Sequence, residues 1–526
     1  MRTWRAAALP AAFLLLFLVL PLYAILHVAG PATELGAWER GRLGVSVQLG
    51  VLTAILALFF GLPLAYLLGK HRFRGRRALR AAVTVPFVMP VVVIAAGLSA
   101  LLGPRHTGTY AALLLAHTVY NVPLVVRLVG DTWAHLDPRP EDAAATLGAG
   151  PRERFLRVTL PRLAPSIAAA ALLAFLFGFT AFGTVLLLAD PIRDATIEVA
   201  IYHTGMRLFD LPTAATLAVL QLVVTFVAAL TYATLIERAS TRERAVSESE
   251  TLRPLGRGNR ALVALAFLFA ALLLLPLATI VVRAFDTPSG WSVAAFQRLV
   301  TGGVQNVSFT TPLLAARNSA FFALCTIAIA VPLGVLGALA VARAAKRSAW
   351  LDALWMVPLG TSAVTLGLGL LLVFPWRFGA LGSLDLRATA WLLVLAHSLI
   401  AFPFAVRALV GPLRARDPAP SEAARTLGAT RWQRLALVEL PVLAPALLVA
   451  GVLVASVSLG EFGATLVLLR PEFATLPAEV YKHLSASKPD AWLLPESMAL
   501  ATVLLALDLG AFLLLERFRT GKTGGF

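Results

Sequence analysis

The chain has 526 residues, of which 59% are hydrophobic and 14% charged, with a mean hydropathy of +0.82. Soluble domains carry about 25% charged residues, so this composition excludes a soluble globular protein and indicates many membrane crossings. The basic residues behind the net charge of +17 lie beside apolar segments, which is typical of topology signals that also contact anionic lipids, and not of nucleic-acid binding. A single cysteine, Cys325, excludes an intrachain disulfide and a cysteine-ligated metal cluster.

The apolar segments predict twelve membrane spans, since a helix that crosses the bilayer needs roughly 20 mostly apolar residues. These spans are 6–29, 45–69, 78–102, 109–130, 163–189, 212–236, 261–283, 313–345, 349–374, 386–410, 442–469 and 494–516. Prolines and glycines interrupt the third and the ninth span, and such interruptions persist only where neighbours or water satisfy the freed backbone groups. We therefore expect these two spans to face the interior of the helix bundle.

Lysines and arginines cluster on one side of the predicted bundle, for example in segments 70–77 and 343–347. Because basic loops of multi-pass proteins face the cytoplasm, both termini are predicted to be cytoplasmic. Residues 237–260 are polar without an apolar period and form the predicted cytoplasmic linker between two halves, 1–236 and 261–526. Six spans in each half give both halves the same orientation, related by a pseudo-two-fold axis along the membrane normal.

One polar loop, at about 138–161, recurs in the second half at about 418–441. From Ala143 to Pro165, 13 of 23 residues are identical to their counterparts 280 positions later, which indicates that the halves are repeats of one unit. Each copy predicts a short amphipathic helix with an acid near its start, favoured there by the helix dipole, and a glycine that ends or bends it. The residues concerned are Asp142, Ala143, Ala144 and Gly148 in the first copy and Glu422, Ala423, Ala424 and Gly428 in the second. Small apolar residues on one side of such a helix suit docking into a groove of another protein.

These loops resemble the EAA loop of ABC-importer permeases, which reads Glu-Ala-Ala, three residues, Gly, and then an apolar residue, any residue, Leu and Pro. The second copy matches this pattern at Glu422, Ala423, Ala424, Gly428, Leu440 and Pro441. The first copy has Asp142 in place of the glutamate, which keeps the charge but shortens the reach. The resemblance implies that both loops are coupling helices that receive motion from a cytoplasmic ATPase. The alternative is two ordinary interfacial helices, and the duplication argues against it.

Polar and aromatic residues within the predicted spans mark a candidate translocation path or gate. They are His117, Asn121, Phe179, Phe182 and Gly183 in the first half and His397, Glu461, Phe462 and Gly463 in the second. The Phe-Gly pair recurs at one depth in both halves, so we expect it near the central constriction, where the rings seal the path and glycine permits close helix approach. Phe175, Phe179 and Phe182 share one predicted helix face, and ordinary packing is favoured over an aromatic wall for a substrate.

Glu461 leaves two interpretations open. Its charge within the eleventh span would either line the path and attract a cation, or be satisfied by a neighbouring helix, for example through His397. The two histidines are expected to cap or bridge helices and not to bind a metal, because no second ligand lies nearby in the sequence. Asn121 is expected to form a hydrogen bond with a backbone group that lacks its helical partner because Pro123 has no N–H. No metal site is therefore predicted.

The sequence has no nucleotide-binding Gly-rich loop and no hydrolase motif, so it predicts neither enzymatic activity nor a bound cofactor. If uptake is active, ATP is used by a partner subunit. Two external segments, 190–202 and 470–481, are alike and follow the Phe-Gly spans. They are interpreted either as contact sites for a substrate-delivering protein or as simple connectors.

Two fused six-span halves, each with an EAA-type loop, resemble the thiamine and ferric-iron permeases of binding-protein-dependent type I ABC importers. Segments 115–123 and 196–202 are similar to the thiamine group, and segment 460–465 is similar to the ferric-iron, sulfate and molybdate permeases. The resemblance implies an all-α inner-membrane fold, a cytoplasmic ATPase homodimer and an extracytoplasmic substrate-binding protein. Thiamine is the first candidate substrate, and ferric iron or another small ion or anion is the alternative. An ion-coupled secondary transporter, with Glu461 as the ion site, is an alternative of another class.

Overall fold

The fold is known from a computed structural model, which describes residues 3–29, 35–190, 193–241, 251–256, 260–301, 310–344, 348–374, 386–486 and 490–519. In the first part of the chain the α-helices are α1 Thr3–Leu14, α2 Leu20–Ala29, α3 Ala37–Lys70, α4 Arg76–Val88, α5 Val91–Leu102, α6 Tyr110–Ala134, α7 Arg139–Thr146, α8 Pro151–Arg154, α9 Leu160–Phe179, α10 Gly183–Leu188, α11 Ile197–Tyr202 and α12 Leu211–Thr241. In the second part they are α13 Arg260–Phe285, α14 Ala294–Thr301, α15 Pro312–Arg343, α16 Ser348–Met356, α17 Ala363–Val373, α18 Ala390–Ala415, α19 Ala419–Thr426, α20 Arg431–Arg434, α21 Leu440–Gly460, α22 Gly463–Leu468, α23 Leu476–Leu484 and α24 Leu493–Arg519.

Shorter elements join these helices. The π-helical turns are Leu15–Val19, Phe155–Thr159, His203–Arg207 and Leu435–Glu439, and the 3₁₀ turns are Val357–Gly360, Leu386–Ala388 and Pro471–Phe473. The strands are two residues each: β1 His71–Arg72 pairs in parallel with β2 Arg253–Pro254, and β3 Asp286–Thr287 pairs antiparallel with β4 Gly290–Trp291. The all-α class, expected from the twelve predicted spans and implied by the resemblance, is confirmed.

Ten of the described helices are long and apolar enough to cross a membrane, and two bent pairs raise the number to twelve if each pair is one span. The ten are Ala6–Ala29, Ala37–Lys70, Tyr110–Ala134, Pro151–Phe179, Leu211–Tyr232, Arg260–Phe285, Pro312–Arg343, Ala390–Ala415, Trp432–Gly460 and Leu493–Leu514. The bent pairs are Arg76–Val88 with Val91–Leu102, at 100°, and Trp350–Gly360 with Ala363–Val373, at 90°. They correspond to the third and ninth predicted spans, so the predicted interruptions are confirmed.

Local chemistry explains both bends. Met89 has extended backbone (φ −73°, ψ 146°) because the ring of Pro90 disfavours the helical region for the residue before it. Helix α5 then starts directly after Pro90, where a missing N–H has no helical partner to lose. In the ninth span Ser362 is the N-cap of α17, and its hydroxyl accepts a hydrogen bond from the N–H of Thr365 at 3.1 Å.

The fifth and eleventh spans differ from the prediction at both ends. Spans 163–189 and 442–469 were expected to be continuous, but each long helix ends early, at Phe179 or at Gly460. A separate six-residue helix, α10 or α22, follows the interruption. Hydropathy missed these interruptions because the residues on both sides are apolar.

The same two helices also begin earlier than the predicted span starts at residues 163 and 442. A π-turn precedes Pro161 and another precedes Pro441, and the helix runs through each. Proline lacks an N–H, and the wider turn accommodates the missing hydrogen bond. Each motif loop is therefore connected to its span by helix.

The chain packs into two compact units, and neither coincides with a predicted half. One unit comprises residues 1–30, 298–482 and 503–526, and the other comprises 31–297 and 483–502. The predicted halves are repeats of sequence, and their boundaries remain a prediction, whereas the units reflect packing.

The first helix of each half packs in the unit built mainly from the other half. In the first unit, α1 packs on α15 and α2 on α17. Phe13 and Leu14 belong to the buried cluster that contains Phe402, and a Cβ added at Gly369 would lie 2.9 Å from the Cβ of Pro21. In the second unit, α13 packs on α4 and α5.

Three long helices form the core of each unit and position the motif loop of that unit. In the second unit α3, α6 and α9 pack together, and the backbone of α3 approaches α6 where Gly61 faces Val125. In the first unit α15, α18 and α21 pack in the same way, with Gly334 facing Ala405. Because α7 follows the end of α6 and α19 follows the end of α18, each short helix is held beside a packed core.

Candidate functional site

The first motif helix is α7, Arg139–Thr146, and both of its ends are fixed by local chemistry. The carboxylate of Asp137 accepts a hydrogen bond from the first backbone N–H of the helix at 3.0 Å. At the other end Gly148 has φ +89°, and the N–H of Ala149 donates to the carbonyl of Ala144 at 3.0 Å. This is a Schellman ending, which needs a residue that tolerates left-handed backbone.

The second motif helix, α19, Ala419–Thr426, repeats this arrangement. Asp417 accepts from its first N–H at 2.9 Å. Gly428 has φ +81°, and the N–H of Ala429 donates to the carbonyl of Ala424 at 3.0 Å. Both glycines therefore end their helices, which is one of the two behaviours the sequence allowed.

Each motif helix presents an apolar face to solvent. Neither helix contains a buried residue. Leu147 is 88% exposed and Leu427 is 86% exposed, and Ala143 and Ala423 beside them are also exposed. An exposed leucine next to an exposed alanine on a short fixed helix is chemically suited to a groove on a partner protein.

The charges on the two motif helices differ in their surroundings. Asp142 forms an ion pair with Arg253, and the neighbouring Glu141 pairs with Lys70 at 2.7 Å. Glu422 is exposed and has no ion-pair partner among the described residues. Sequence reasoning identified Asp142 and Glu422 but missed Arg253 and Lys70, because neither cation lies near the motif in the sequence.

The two candidate path histidines are buried and bridge helices. His117 on α6 has its Nε2 atom 3.1 Å from the hydroxyl of Thr184 on α10. His397 on α18 contacts Ser458 through Nδ1 and Thr465 through Nε2, each at 2.9 Å. The Thr465 hydroxyl donates to the carbonyl of Glu461 at 3.0 Å, so it accepts from the His397 ring, and Nδ1 is left to accept from Ser458. Each histidine thus ties a long helix to the short helix beyond the interruption.

Asn121 and Glu461 have partners different from those expected. The Asn121 side-chain amide donates to the carbonyl of His117 at 2.8 Å, and not to the Val119 carbonyl that Pro123 leaves free. Glu461 lies at the interruption after α21 and not inside a helix. Its carboxylate accepts a hydrogen bond from the N–H of Ala464 at 2.8 Å, so it caps α22 and does not bond to His397.

The two Phe-Gly pairs lie at the interruptions, and each phenylalanine packs on a tyrosine from the following external helix. The ring centroids of Phe182 and Tyr202 are 5.4 Å apart, and those of Phe462 and Tyr481 are also 5.4 Å apart, both edge to face. Such aromatic pairs contribute stability in addition to that from the burial of their apolar surface. Sequence reasoning noted both external segments, which end at these tyrosines, but not the contacts of the tyrosines with the phenylalanines, although each tyrosine follows its phenylalanine at almost the same distance.

Two further candidate residues near the interruptions, Gly463 and Phe179, have packing roles. Gly463 allows the short helix α22 to approach α17, since an added Cβ would lie 3.1 Å from that of Ala363. Phe179 is fully buried and stacks on Phe175 with ring centroids 5.6 Å apart. Phe182 is not on their helix face because α9 ends at Phe179, so the expected three-residue stripe is wrong.

The structure brings the predicted residues together in separate groups within each unit. In the second unit His117, Phe182 and Gly183 gather around α10, whereas Asp142, Ala143, Ala144 and Gly148 lie on the loop after α6. In the first unit His397, Glu461, Phe462 and Gly463 gather around α22, whereas the second motif helix follows α18. Among the described residues no group of three His, Cys, Asp or Glu side chains could hold a metal ion.

Known proteins share this organisation. Residues 61–287 and 330–515 match the family described as "Binding-protein-dependent transport system inner membrane component". "Probable ABC transporter permease protein y4fN" of Sinorhizobium fredii is 27% identical over 99% of this chain and 97% of its own length. "Thiamine transport system permease protein ThiP" of Haemophilus influenzae is 28% identical over 82% of this chain and 81% of its own length. "Sulfate transport system permease protein CysT" of Escherichia coli is 31% identical over 39% of this chain and 82% of its own length.

Proposed function

Because the chain belongs to the family of binding-protein-dependent transport system inner membrane components, we propose that it forms the membrane path of an importer for thiamine. Permeases of this family are multi-pass inner-membrane proteins and are not enzymes, since a separate ATPase hydrolyses ATP. Their partners are an ATPase and a substrate-binding protein. For this chain the ATPase is a homodimer that binds the nucleotide, and the binding protein is extracytoplasmic.

One observation supports thiamine over other substrates. Two of the three relatives above are named for a substrate, and the thiamine permease aligns with 82% of this chain whereas the sulfate permease aligns with 39%. A relative that aligns with most of the chain constrains the whole path more than a relative that aligns with less than half of it. Ferric iron or a small anion remains the alternative that the experiment below separates.

The motif helices are the contact with the ATPase in this proposal. Their exposed faces, centred on Leu147 and Leu427, supply two similar surfaces for a symmetric pair of grooves. Each is connected by helix to a long span, α9 or α21, so displacement of the motif helix is transmitted into the bundle. Closure and opening of the ATPase dimer then shift the permease between outward-open and inward-open states.

The motif helices and both termini face the cytoplasm. Support comes from the basic segment next to the first motif helix, where Lys70 pairs with Glu141 and the exposed Arg72, Arg74 and Arg77 follow. The residues around α10 and α22, with their Phe-Gly pairs, lie along the path that opens and closes. In this assignment the external helices α11 and α23 face the binding protein.

Reconstitution tests both the class and the substrate. Proteoliposomes would contain this chain and its ATPase, with a candidate binding protein loaded with thiamine, ferric iron or sulfate. We expect the thiamine-loaded protein to stimulate ATP hydrolysis and to drive thiamine accumulation. The Gly428→Trp variant should lose this stimulation, because the bulky side chain disturbs the contact with the ATPase.

Other outcomes would overturn defined parts of the proposal. Stimulation by ferric iron or sulfate, without any by thiamine, would overturn the substrate and leave the ABC mechanism. Uptake by this chain alone, driven by an ion gradient, would overturn the ABC mechanism. Full uptake by the Gly428→Trp variant would overturn the assignment of the motif helices as the ATPase contact.

A further inference from the structure

The linker between the halves is bound to the first motif helix and its surroundings. Its strand β2 pairs in parallel with β1 at the end of α3, with Arg253 opposite His71 and Pro254 opposite Arg72. Just before the strand, the hydroxyl of Thr251 donates to the carbonyl of Ala134 at the end of α6. The linker therefore contacts the ends of two long helices, α3 and α6, beside the first motif helix.

Arg253 continues this attachment onto the motif helix itself. Its guanidinium pairs with the carboxylate of Asp142, and both side chains are partly exposed. Beside it, Lys70 pairs with Glu141 at 2.7 Å, and these side chains are only 18% and 15% exposed. Both acids of the first turn of the first motif helix are thus bound to cations from elsewhere in the same unit.

Aromatic side chains pack next to the same group of ion pairs. Trp133 packs edge to face on Tyr66 and stacks on Phe155 of the π-turn, with ring centroids 5.3 and 6.2 Å apart. A small cavity lined by Lys70, Trp133, Glu141, Thr251 and Arg253 lies between these groups. Linker, motif helix and span ends therefore form one contact network.

The second motif helix has a different support. Ser421 stands where the first copy has Glu141, and its hydroxyl donates to the carboxylate of Glu439 at 3.0 Å. Arg416 pairs with the same carboxylate at 2.9 Å. These contacts stay within one loop, and Glu422, the counterpart of Asp142, has no ion-pair partner in the part of the chain that the structure describes.

We propose that linker residues 251–254 hold the first motif helix in position through Arg253, so that the two motif helices present different charges to the ATPase. Asp142 is neutralised within the chain, whereas Glu422 is available to accept a cationic side chain of the ATPase. Arg253 is a positioning residue, since it acts through the motif helix. The inference about the ATPase contact rests on the proposed function, whereas the attachment itself does not.

Hydrogen exchange on the purified chain alone tests the attachment. Arg253→Glu places two like charges together and should increase exchange in residues 139–149 by about two- to fivefold, the range expected for losing a partly exposed ion pair. Arg253→Glu with Asp142→Arg restores the pair in reverse and should return exchange to the parent rate. Arg72→Glu is the matched control, because it makes the same charge change in the paired strand without a described contact to Asp142. Unchanged exchange in Arg253→Glu, or no recovery in the double variant, would overturn the proposal.

Coupling in the assembled complex tests the charge difference. The ratio of stimulated to basal ATP hydrolysis should fall severalfold in Arg253→Glu and recover in the charge-reversed pair. Glu422→Arg should weaken association with the ATPase, and adding Arg253→Glu should not restore it. Recovery of Glu422→Arg by Arg253→Glu would overturn the assignment of different charges to the two helices. If the parent complex itself shows no stimulation while the exchange results hold, the proposed function fails and the attachment stands.

Discussion

At the scale of single residues, the glycines that end the motif helices are required by conformation and not by space. Gly148 and Gly428 both have positive φ, and a Cβ added at either would meet no described heavy atom within 4 Å. Only the left-handed backbone disfavours other residues there, at a cost of roughly 1–2 kcal/mol.

This distinction predicts losses of different size for two small substitutions. Gly428→Ala should destabilise the end of the second motif helix by about 1 kcal/mol and reduce substrate-stimulated ATP hydrolysis severalfold. Gly428→Asn should retain more of the helix stability and more of the stimulated ATP hydrolysis, since asparagine adopts left-handed backbone more readily than alanine. Hydrogen exchange over residues 419–429 and stimulated ATP hydrolysis measure the two effects. Equal losses in both variants would indicate that side-chain bulk, and not backbone conformation, is limiting.

His71 makes the linker contact sensitive to pH. Burial lowers the pKa of His71, and the neighbouring Lys70 lowers that pKa further, whereas hydrogen bonds to the backbone of Pro254 and Arg253 offset part of the lowering. A detached histidine therefore binds a proton at a higher pH than the buried one, so the strand pair loses stability as the pH falls through about 6.5. We expect hydrogen exchange in residues 251–256, corrected for intrinsic rates, to be faster at pH 5.5 than at pH 7.5.

The matched variant for this prediction is His71→Phe, which keeps the aromatic contact with Tyr66 but cannot titrate. Its exchange in the linker should not depend on pH after the same correction. A pH dependence equal to that of the parent chain would assign the effect to another group.

At the scale of elements, local chemistry was readable from the sequence and tertiary contacts were not. The interruption of the third span and the change of direction at Gly148 and Gly428 follow from single residues, so the sequence predicted them. It left open which proline or glycine breaks the span and whether each glycine ends or bends its helix. The interruption after Phe179 has no proline and lies between apolar residues. It is stabilised by Tyr202, whose ring packs on Phe182 from another helix.

The same limit applies to the candidate site. The motif helices could be predicted because their residues are adjacent and repeated. The ion pairs Lys70–Glu141 and Arg253–Asp142 join positions 71 and 111 residues apart. No spacing rule connects such positions, so the cations that fix the first motif helix could not be assigned from the sequence.

Glu461 illustrates how an element boundary changes a residue's role. Because its carboxylate caps α22, Glu461→Gln should preserve most of the uptake, since the amide oxygen still accepts from Ala464. Glu461→Ala should lose the cap and about 1 kcal/mol of stability. Uptake assays and thermal unfolding of both variants measure this. Abolished uptake in a stable Glu461→Gln protein would support a charged path residue instead.

At the scale of the whole molecule, neither half of the chain contains all the helices of a unit. The second half without α1 and α2 lacks the helices that cover α15 and α17, and the first half without α13 lacks the helix that covers α4 and α5. Lipid would replace these contacts only in part. Lipid tails are as apolar as the helix faces, so what a lone half loses is the close packing between helices and not the hydrophobic effect.

Splitting the chain tests this division. Fragments 1–245 and 246–526, expressed together, should co-purify and unfold within a few degrees of the intact protein. Fragment 246–526 alone should unfold several degrees lower, and adding the first fragment should restore the difference. A lone fragment with the thermal stability of the intact chain would contradict the packing of α1 and α2 described above.

The packing of α1 and α2 in the unit built mainly from the second half also determines when that unit can be completed during synthesis. Helix α1 is synthesised roughly 300 residues before α15, which at about 5–20 residues per second amounts to about 15–60 s of translation. During that interval the face of Phe13 and Leu14 has no permanent neighbour and rests against lipid or the insertion machinery. Completion of the first unit is thus deferred until the ribosome is well into the second half, and the nascent chain is most vulnerable to quality-control proteases in that window.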